Sequence, residues 1–186
     1  MSDVSEVFSD LTTDLKTISQ DKLNTDENII NFQNGILNLK SMQLLHHSPK
    51  YYSTIQIPCN WIPVAEPTPV FDNFIKTFTN NDKEIEKLIM QFMGVCLSNM
   101  KGYRMKKALF MVGAGDTGKS QLKALTEKLL GKENHTGIQL KELESRFGTS
   151  NIYNKRLAGS SDMSFVTIEE LKTFKKCTGG DLVCRV

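Results

Sequence analysis

Eight residues, Gly113-Ala114-Gly115-Asp116-Thr117-Gly118-Lys119-Ser120, constrain this chain more than any other stretch. They fit G-x-x-x-x-G-K-[ST], a loop that needs a strand before it and a helix after it. Lys107-Ala108-Leu109-Phe110-Met111-Val112 is a short apolar run of strand character. Gln121 to Leu130 is a helical run, and Gly131 stops it. Gly113, Gly115 and Gly118 let backbone N–H groups approach a common centre through angles that other residues resist. A helix starting near Gly118 adds unpaired N–H groups and the positive end of its dipole. Such a cradle suits an anion.

The side chains of the loop narrow the anion to the phosphates of a nucleotide. Lys119 is placed to reach the β- and γ-phosphates as a point charge. Ser120 is placed to offer its hydroxyl to Mg²⁺. The predicted nucleotide-binding set is Gly113, Ala114, Gly115, Asp116, Thr117, Gly118, Lys119, Ser120 and Gln121, with ATP and Mg²⁺ as ligands.

Bulk properties set looser bounds. A chain of 186 residues has room for one or two domains. Its net charge of +2 is uneven: residues 1–30 carry seven acids against two lysines, which leaves a mildly basic body. A basic body fits nucleic-acid contact without demanding it. Cys59, Cys96, Cys177 and Cys184 form no C-x-x-C pair, which argues against a metal site and for a reducing compartment. The adjacent His46-His47 would face opposite ways on a strand. With no apolar leader and no long apolar run, a soluble protein of the cytoplasm is expected, without membrane contact.

Along the chain, residues 1–24 read as weakly helical, with Val4, Val7, Phe8, Leu11, Leu15 and Ile18 at mostly helical spacing. Residues 28–58 read as a small antiparallel sheet. Asn34-Gly35 is its first turn, Lys40-Ser41-Met42 its second, and Tyr51 to Ile57 a further strand. Pro63, Pro67 and Pro69 mark a linker. Val70, Phe71, Phe74, Ile75 and Phe78 then form one helical face. A second helix is expected to start near Asn81, with Glu84 completing a capping box. Gly94 inside it suggests a close packing contact. Lys101, Arg104, Lys106 and Lys107 read as a solvated basic connector. Beyond the loop helix, Gly137-Ile138-Gln139 is a short strand candidate, and Leu140, Leu143 and Phe147 mark a short helix ended by Gly148. Arg156 to Asp162 is a strand reaching an acid. Thr167 and Glu170 fit a capping box for a helix carrying Ile168, Leu171 and Phe174, ended by Thr178-Gly179-Gly180-Asp181.

These blocks occur in an order that resembles a known family. Asn34-Gly35-Ile36-Leu37-Asn38-Leu39, Pro49 to Pro58 and the two helices before the loop resemble the helicase-associated region of phage and plasmid primase–helicases. Leu143-Glu144-Ser145-Arg146-Phe147, Asn154-Lys155-Arg156-Leu157-Ala158, Ser161-Asp162 and Lys175 through Asp181 resemble their ATPase core. The family is that of the superfamily 3 helicases of phages, mobile elements and poxviruses, and the resemblance covers roughly residues 28–186.

The resemblance implies an AAA+-like P-loop NTPase of α/β class. Residues 1–100 would be a small mixed α+β accessory domain and residues 101–186 a partial ATPase core. It implies a hexameric ring, ATP hydrolysis coupled to movement on single-stranded DNA, a role in DNA replication, and the cytoplasm of a bacterial host. By position Asp162 matches the acid that holds Mg²⁺ through water, so Lys119 and Asp162 are the expected catalytic pair and Ser120 and Asp162 the metal set.

The sequence also departs from that pattern. Thr117 stands where the family usually has asparagine. Asp116 brings a negative charge to the loop, which would weaken ATP binding unless it faces outward. Met163 follows Asp162, so no acidic pair supplies a general base, and Glu169 and Glu170 have no assigned place. The family's sensor strand, DNA-binding hairpin and arginine finger would follow Val186. Nucleotide binding with weak or no hydrolysis is therefore the expectation for residues 1–186 alone, with a marginally stable C-terminal half. The competing expectations are a non-catalytic module that binds a replication partner or disturbs a helicase ring, and a small-molecule kinase. The kinase lacks an arginine-rich lid here, since Arg146, Arg156 and Arg185 are scattered.

Overall fold

A computed structural model describes residues 18–64, 66–161 and 171–179, apart from the side chain of Tyr103. Strands β1 (Ile29–Phe32), β2 (Gly35–Asn38) and β3 (Gln43–Leu45) form an antiparallel sheet in that order. Phe32 pairs with Gly35, so Gln33 and Asn34 make the first turn, one residue earlier than the turn read from Asn34-Gly35, and Gly35 opens β2. Gly35 has φ +152°, and a Cβ there would lie 2.6 Å from the Leu45 carbonyl oxygen, so only glycine fits. The second turn falls where expected. Asn38 Oδ1 accepts from the amides of Lys40 (2.9 Å) and Ser41 (3.0 Å), and Met42 takes the left-handed conformation at φ +54°.

The strand expected over Tyr51 to Ile57 does not form. A 3₁₀ turn covers Pro49–Tyr51 and Tyr52 is left-handed at φ +46°. The buried Asn24 side chain then accepts from the amides of Thr54 (2.8 Å) and Ile55 (3.2 Å), taking donors a ladder would use. A single parallel bridge, Phe32 with Ile57, is left. Of the helix read over residues 1–24, residues 1–17 lie outside the described residues; Gln20–Lys22 is one 3₁₀ turn.

Helix α1 (Pro69–Phe78) has proline at its first position, where no amide is needed. Helix α2 (Lys83–Leu97) starts two residues after Asn81. Asn81 is left-handed at φ +61°, and Asp82 is the cap, accepting from the amides of Glu84 (2.9 Å) and Ile85 (3.2 Å). No close contact accompanies Gly94: a Cβ there would meet nothing within 4 Å. A one-turn helix α3 (Gly102–Met105) follows.

Residues 107–112 form no strand. They find no ladder partner among the described residues, and Phe110 and Val112 are 50% and 95% exposed. Helix α4 (Lys119–Leu130) follows the glycine loop and ends at Gly131, as its composition suggests. Strand β4 (His135–Gly137) lies two residues before the expected position and pairs in parallel with β5 (Leu157–Gly159). Helix α5 (Leu140–Leu143) lies between them; its cap is a box of Gln139 and Glu142, and Phe147 beyond it is 71% exposed. Helix α6 (Lys172–Gly179) includes Gly179 rather than ending before it. The capping residues proposed for it, Thr167 and Glu170, lie outside the described residues, as do Ile168, Gly180 and Asp181.

The described chain is thus a mixed α/β structure with two small sheets. Two apolar clusters hold it together. One joins Ile30, Phe32, Leu37 and Ile57 to Cys96 of α2 and Leu130 of α4. The other joins Ile75 of α1, Ile89 and Met93 of α2 and Leu122 of α4, with Phe71, Phe74, Phe78, Met111 and Leu129 around them. Both clusters draw residues from either side of residue 100. Burying a side chain of this size stabilises the fold by about 1.5–3 kcal/mol, and Leu122 and Leu130 are the buried residues by which α4 joins the two clusters. Among the described residues, no helix is long and apolar enough to cross a membrane.

Candidate functional site: the glycine loop at the head of α4

The loop turns through two left-handed residues. Asp116 has φ +55°, tolerable for aspartate, and Gly118 has φ +89° and caps α4. Of the three loop glycines, only Gly118 is fixed by its surroundings. A Cβ on it would come 3.2 Å from Phe74 and 3.3 Å from Phe78, the tilted ring pair on α1. Gly115 faces open space, and Gly113 would meet only Lys119 Nζ at 3.9 Å and Thr117 Oγ1 at 4.0 Å.

Lys119 folds back over this turn. Its Nζ donates to the Gly113 carbonyl at 3.1 Å, to Thr117 Oγ1 at 2.9 Å, and to the Ala114 carbonyl. Thr117 Oγ1 in turn donates to the Ala114 carbonyl at 3.1 Å. The ammonium therefore sits on the concave side of the loop with three oxygen acceptors, on a side chain that is partly exposed to solvent. A phosphate arriving there can replace neutral carbonyls with charged oxygens, a stronger class of hydrogen bond. Thr117 is part of this arrangement.

Ser120 lies in the first turn of α4, exposed, with no hydrogen bond to any described residue. The first four amides of a helix have no partner inside it, so the chain brings together free amides, a lysine and a free hydroxyl at one point. These groups fit a phosphate chain with a hard cation that takes oxygen ligands. When bound, Mg²⁺ would neutralise phosphate charge. Asp116 is exposed as well. Gln121 follows Ser120 and is exposed. Asp162, Met163, Glu169 and Glu170 lie outside the described residues. Among the described residues no group of three or more His, Cys, Asp or Glu is placed to hold a metal ion.

The basic connector is solvated, as its composition suggests: Lys101, Arg104, Lys106 and Lys107 are all exposed. Arg104 pairs with Glu27. Partial desolvation together with the charge of Arg156 lowers the pKa of Lys101, with Glu27 acting the other way. Arg156 is buried enough to bring its pKa down to about 10. Its guanidinium donates to Asn99 Oδ1, while Asn99 Nδ2 donates to the Asp26 carbonyl at 2.7 Å.

Three relationships have no sequence signal: the fit of Phe74 and Phe78 against Gly118, the chain Arg156–Asn99–Asp26, and the cap that Glu144 gives α6. Glu144 Oε2 accepts from the Thr173 amide at 2.8 Å and Oε1 from the Phe174 amide at 3.0 Å. Burial raises its pKa, but these amide bonds and Lys172 outweigh that and leave it lowered. Glu–x–helix pairings across thirty residues carry no local pattern. The acid itself was visible only as part of the Leu143–Phe147 block.

Comparison with known families adds one finding. Residues 1–80 match the family model described as D5 N terminal like. No curated protein matches the chain. The matched stretch takes in the three-stranded sheet and α1, including Phe74 and Phe78, and stops short of the glycine loop. It supports a relationship with the D5-like primase–helicase proteins through their N-terminal domain.

Proposed function

We propose that this chain is the ATP-binding portion of a superfamily 3 replicative DNA helicase from a phage or mobile genetic element. The observation that carries the reading is the position of Lys119, whose ammonium occupies the concave side of a glycine loop at the head of α4. The match of residues 1–80 to the N-terminal domain of a primase–helicase family supports the same reading. In it, the loop amides and Lys119 hold the β- and γ-phosphates, Ser120 carries Mg²⁺, and Asp162 completes the metal site. The complete ring would be hexameric and would spend ATP on moving along single-stranded DNA.

Titration of Mg-ATP into the purified chain by calorimetry tests the reading. Saturable binding is expected in the wild type and its loss in Lys119→Ala, a weakening of at least about tenfold, or 1.4 kcal/mol. Equal affinity in the two proteins would sink it.

A further inference from the structure

Beside the phosphate loop lies an open groove of about 530 Å³. One wall is the start of α1 with the residue before it: Thr68, Pro69, Val70, Phe71 and Phe74. The other is one face of α4, Gln121 and Leu125, four residues apart and so one above the other. Two features tie the groove to the loop. Gln121 is the residue after Ser120, so the groove begins where the loop ends. Phe74 lines the groove and also meets Gly118. The lining is apolar but for Gln121 and Thr68, and the Thr68 hydroxyl already donates to Asp72 Oδ1 at 3.3 Å. Val70 stands at 84% exposure on its rim, an apolar side chain that no described residue covers.

We propose that this groove is the nucleoside subsite, taking the base and ribose of a nucleoside triphosphate while the loop takes its phosphates. This rests on the reading of the loop as a phosphate site. A small-molecule site is characteristically an apolar cleft of a few hundred Å³ with few polar groups to orient the ligand; here the volume, the lining and the single free amide of Gln121 agree with that. An aromatic ring or aliphatic wall accepts the flat face of any base, and the Gln121 amide can both donate to and accept from its edge. The start of α1 therefore becomes part of the nucleotide site, though it lies some forty residues ahead of the loop in sequence.

The test compares Mg-ATP with Mg-tripolyphosphate, which carries the phosphates and no nucleoside, on wild type, Val70→Asp, Val70→Leu and Lys119→Ala. Val70 is exposed, so its replacement costs the fold little. Circular dichroism melts verify this. In Val70→Asp, ATP affinity should fall at least about tenfold, tripolyphosphate affinity should stay within about twofold, and Val70→Leu should keep both. In Lys119→Ala both ligands should weaken. Equal ATP affinity in wild type and Val70→Asp would overturn the nucleoside subsite while leaving the loop reading intact. A change of oligomeric state in Val70→Asp with ATP affinity unaltered would overturn it too, and mark the groove as a contact between proteins. Failure of both ligands to bind folded wild type would overturn the loop reading, and this inference with it.

Discussion

The ring of Phe74 stands where a side chain on Gly118 would have to go: a Cβ there would come within 3.2 Å of it. The contact joins α1, inside the stretch matched to D5-like N-terminal domains, to the last residue of the glycine loop. Gly118 is needed twice over, for its φ of +89° and for the space taken by Phe74 and Phe78.

Gly118→Ala should therefore destabilise the chain by roughly 1–3 kcal/mol, combining left-handed strain with displacement of two rings. It should also weaken Mg-ATP at least tenfold by moving the head of α4. Gly115→Ala is the control, since its Cβ would meet nothing within 4 Å. Urea unfolding and calorimetry on both variants check this; equal losses in the two would show that the aromatic contact does not set the loop.

Asn99 holds two groups at once, the Arg156 guanidinium and the Asp26 carbonyl. Asn99→Ala should cost about 1–3 kcal/mol, because it leaves a partly buried cation short of an acceptor and a carbonyl short of a donor. Arg156 Nε already lacks a hydrogen-bond partner, so the guanidinium has little to fall back on. Asn99→Asp keeps an acceptor for Arg156 and should lose less. Chemical unfolding of the pair gives the comparison, and a neutral Asn99→Ala would rule the network out as a structural tie.

Glu144 gives an acid-limb prediction. Its pKa is lowered in the fold from an ordinary 4.5, so the carboxylate contributes stability above the unfolded value. That contribution disappears as pH falls through the lower folded value, when the proton removes an acceptor from the Thr173 and Phe174 amides. The size should be about 1 kcal/mol or less, since water screens a carboxylate near the surface. Melting temperatures between pH 6 and pH 3 should fall less steeply in Glu144→Gln than in wild type. Parallel curves would remove Glu144 as a cap of consequence.

Much of the local structure could be read from residues whose signal is short-range. The Asn38 turn, the stop at Gly131 and the helical faces of Ile75 and Ile89 depend on neighbours within four positions, and all are present. Where a distant group intervenes, the reading slips. Asn24 takes the amides of Thr54 and Ile55, which removes the strand read from Tyr51 to Ile57. Asp82 outcompetes Asn81 as a cap because Asn81 has already turned left-handed. The apolar run at 107–112 has strand composition, yet composition supplies no partner, and none is found among the described residues. For the site, the spacing of Lys119 and Ser120 was plain, whereas the wall built by Pro69, Val70 and Phe71 could not be, because nothing local links α1 to α4.

Helix α4 is fixed at both ends. Gly118 fits against Phe74, and at the other end a Cβ on Gly131 would lie 2.4 Å from Pro58 Cγ. Twelve residues separate those glycines, a span of about 18 Å at 1.5 Å per residue. The helix is thus a gauge of set length between the loop and the antiparallel sheet. Adding or removing one residue inside it would turn one end by about 100° relative to the other. The helix could then keep its seat against Pro58 or aim Lys119 at the loop, and not both. Substitutions at Ala124 and Lys128, exposed on this helix and outside the site, are free to accumulate, but a change in its length is not.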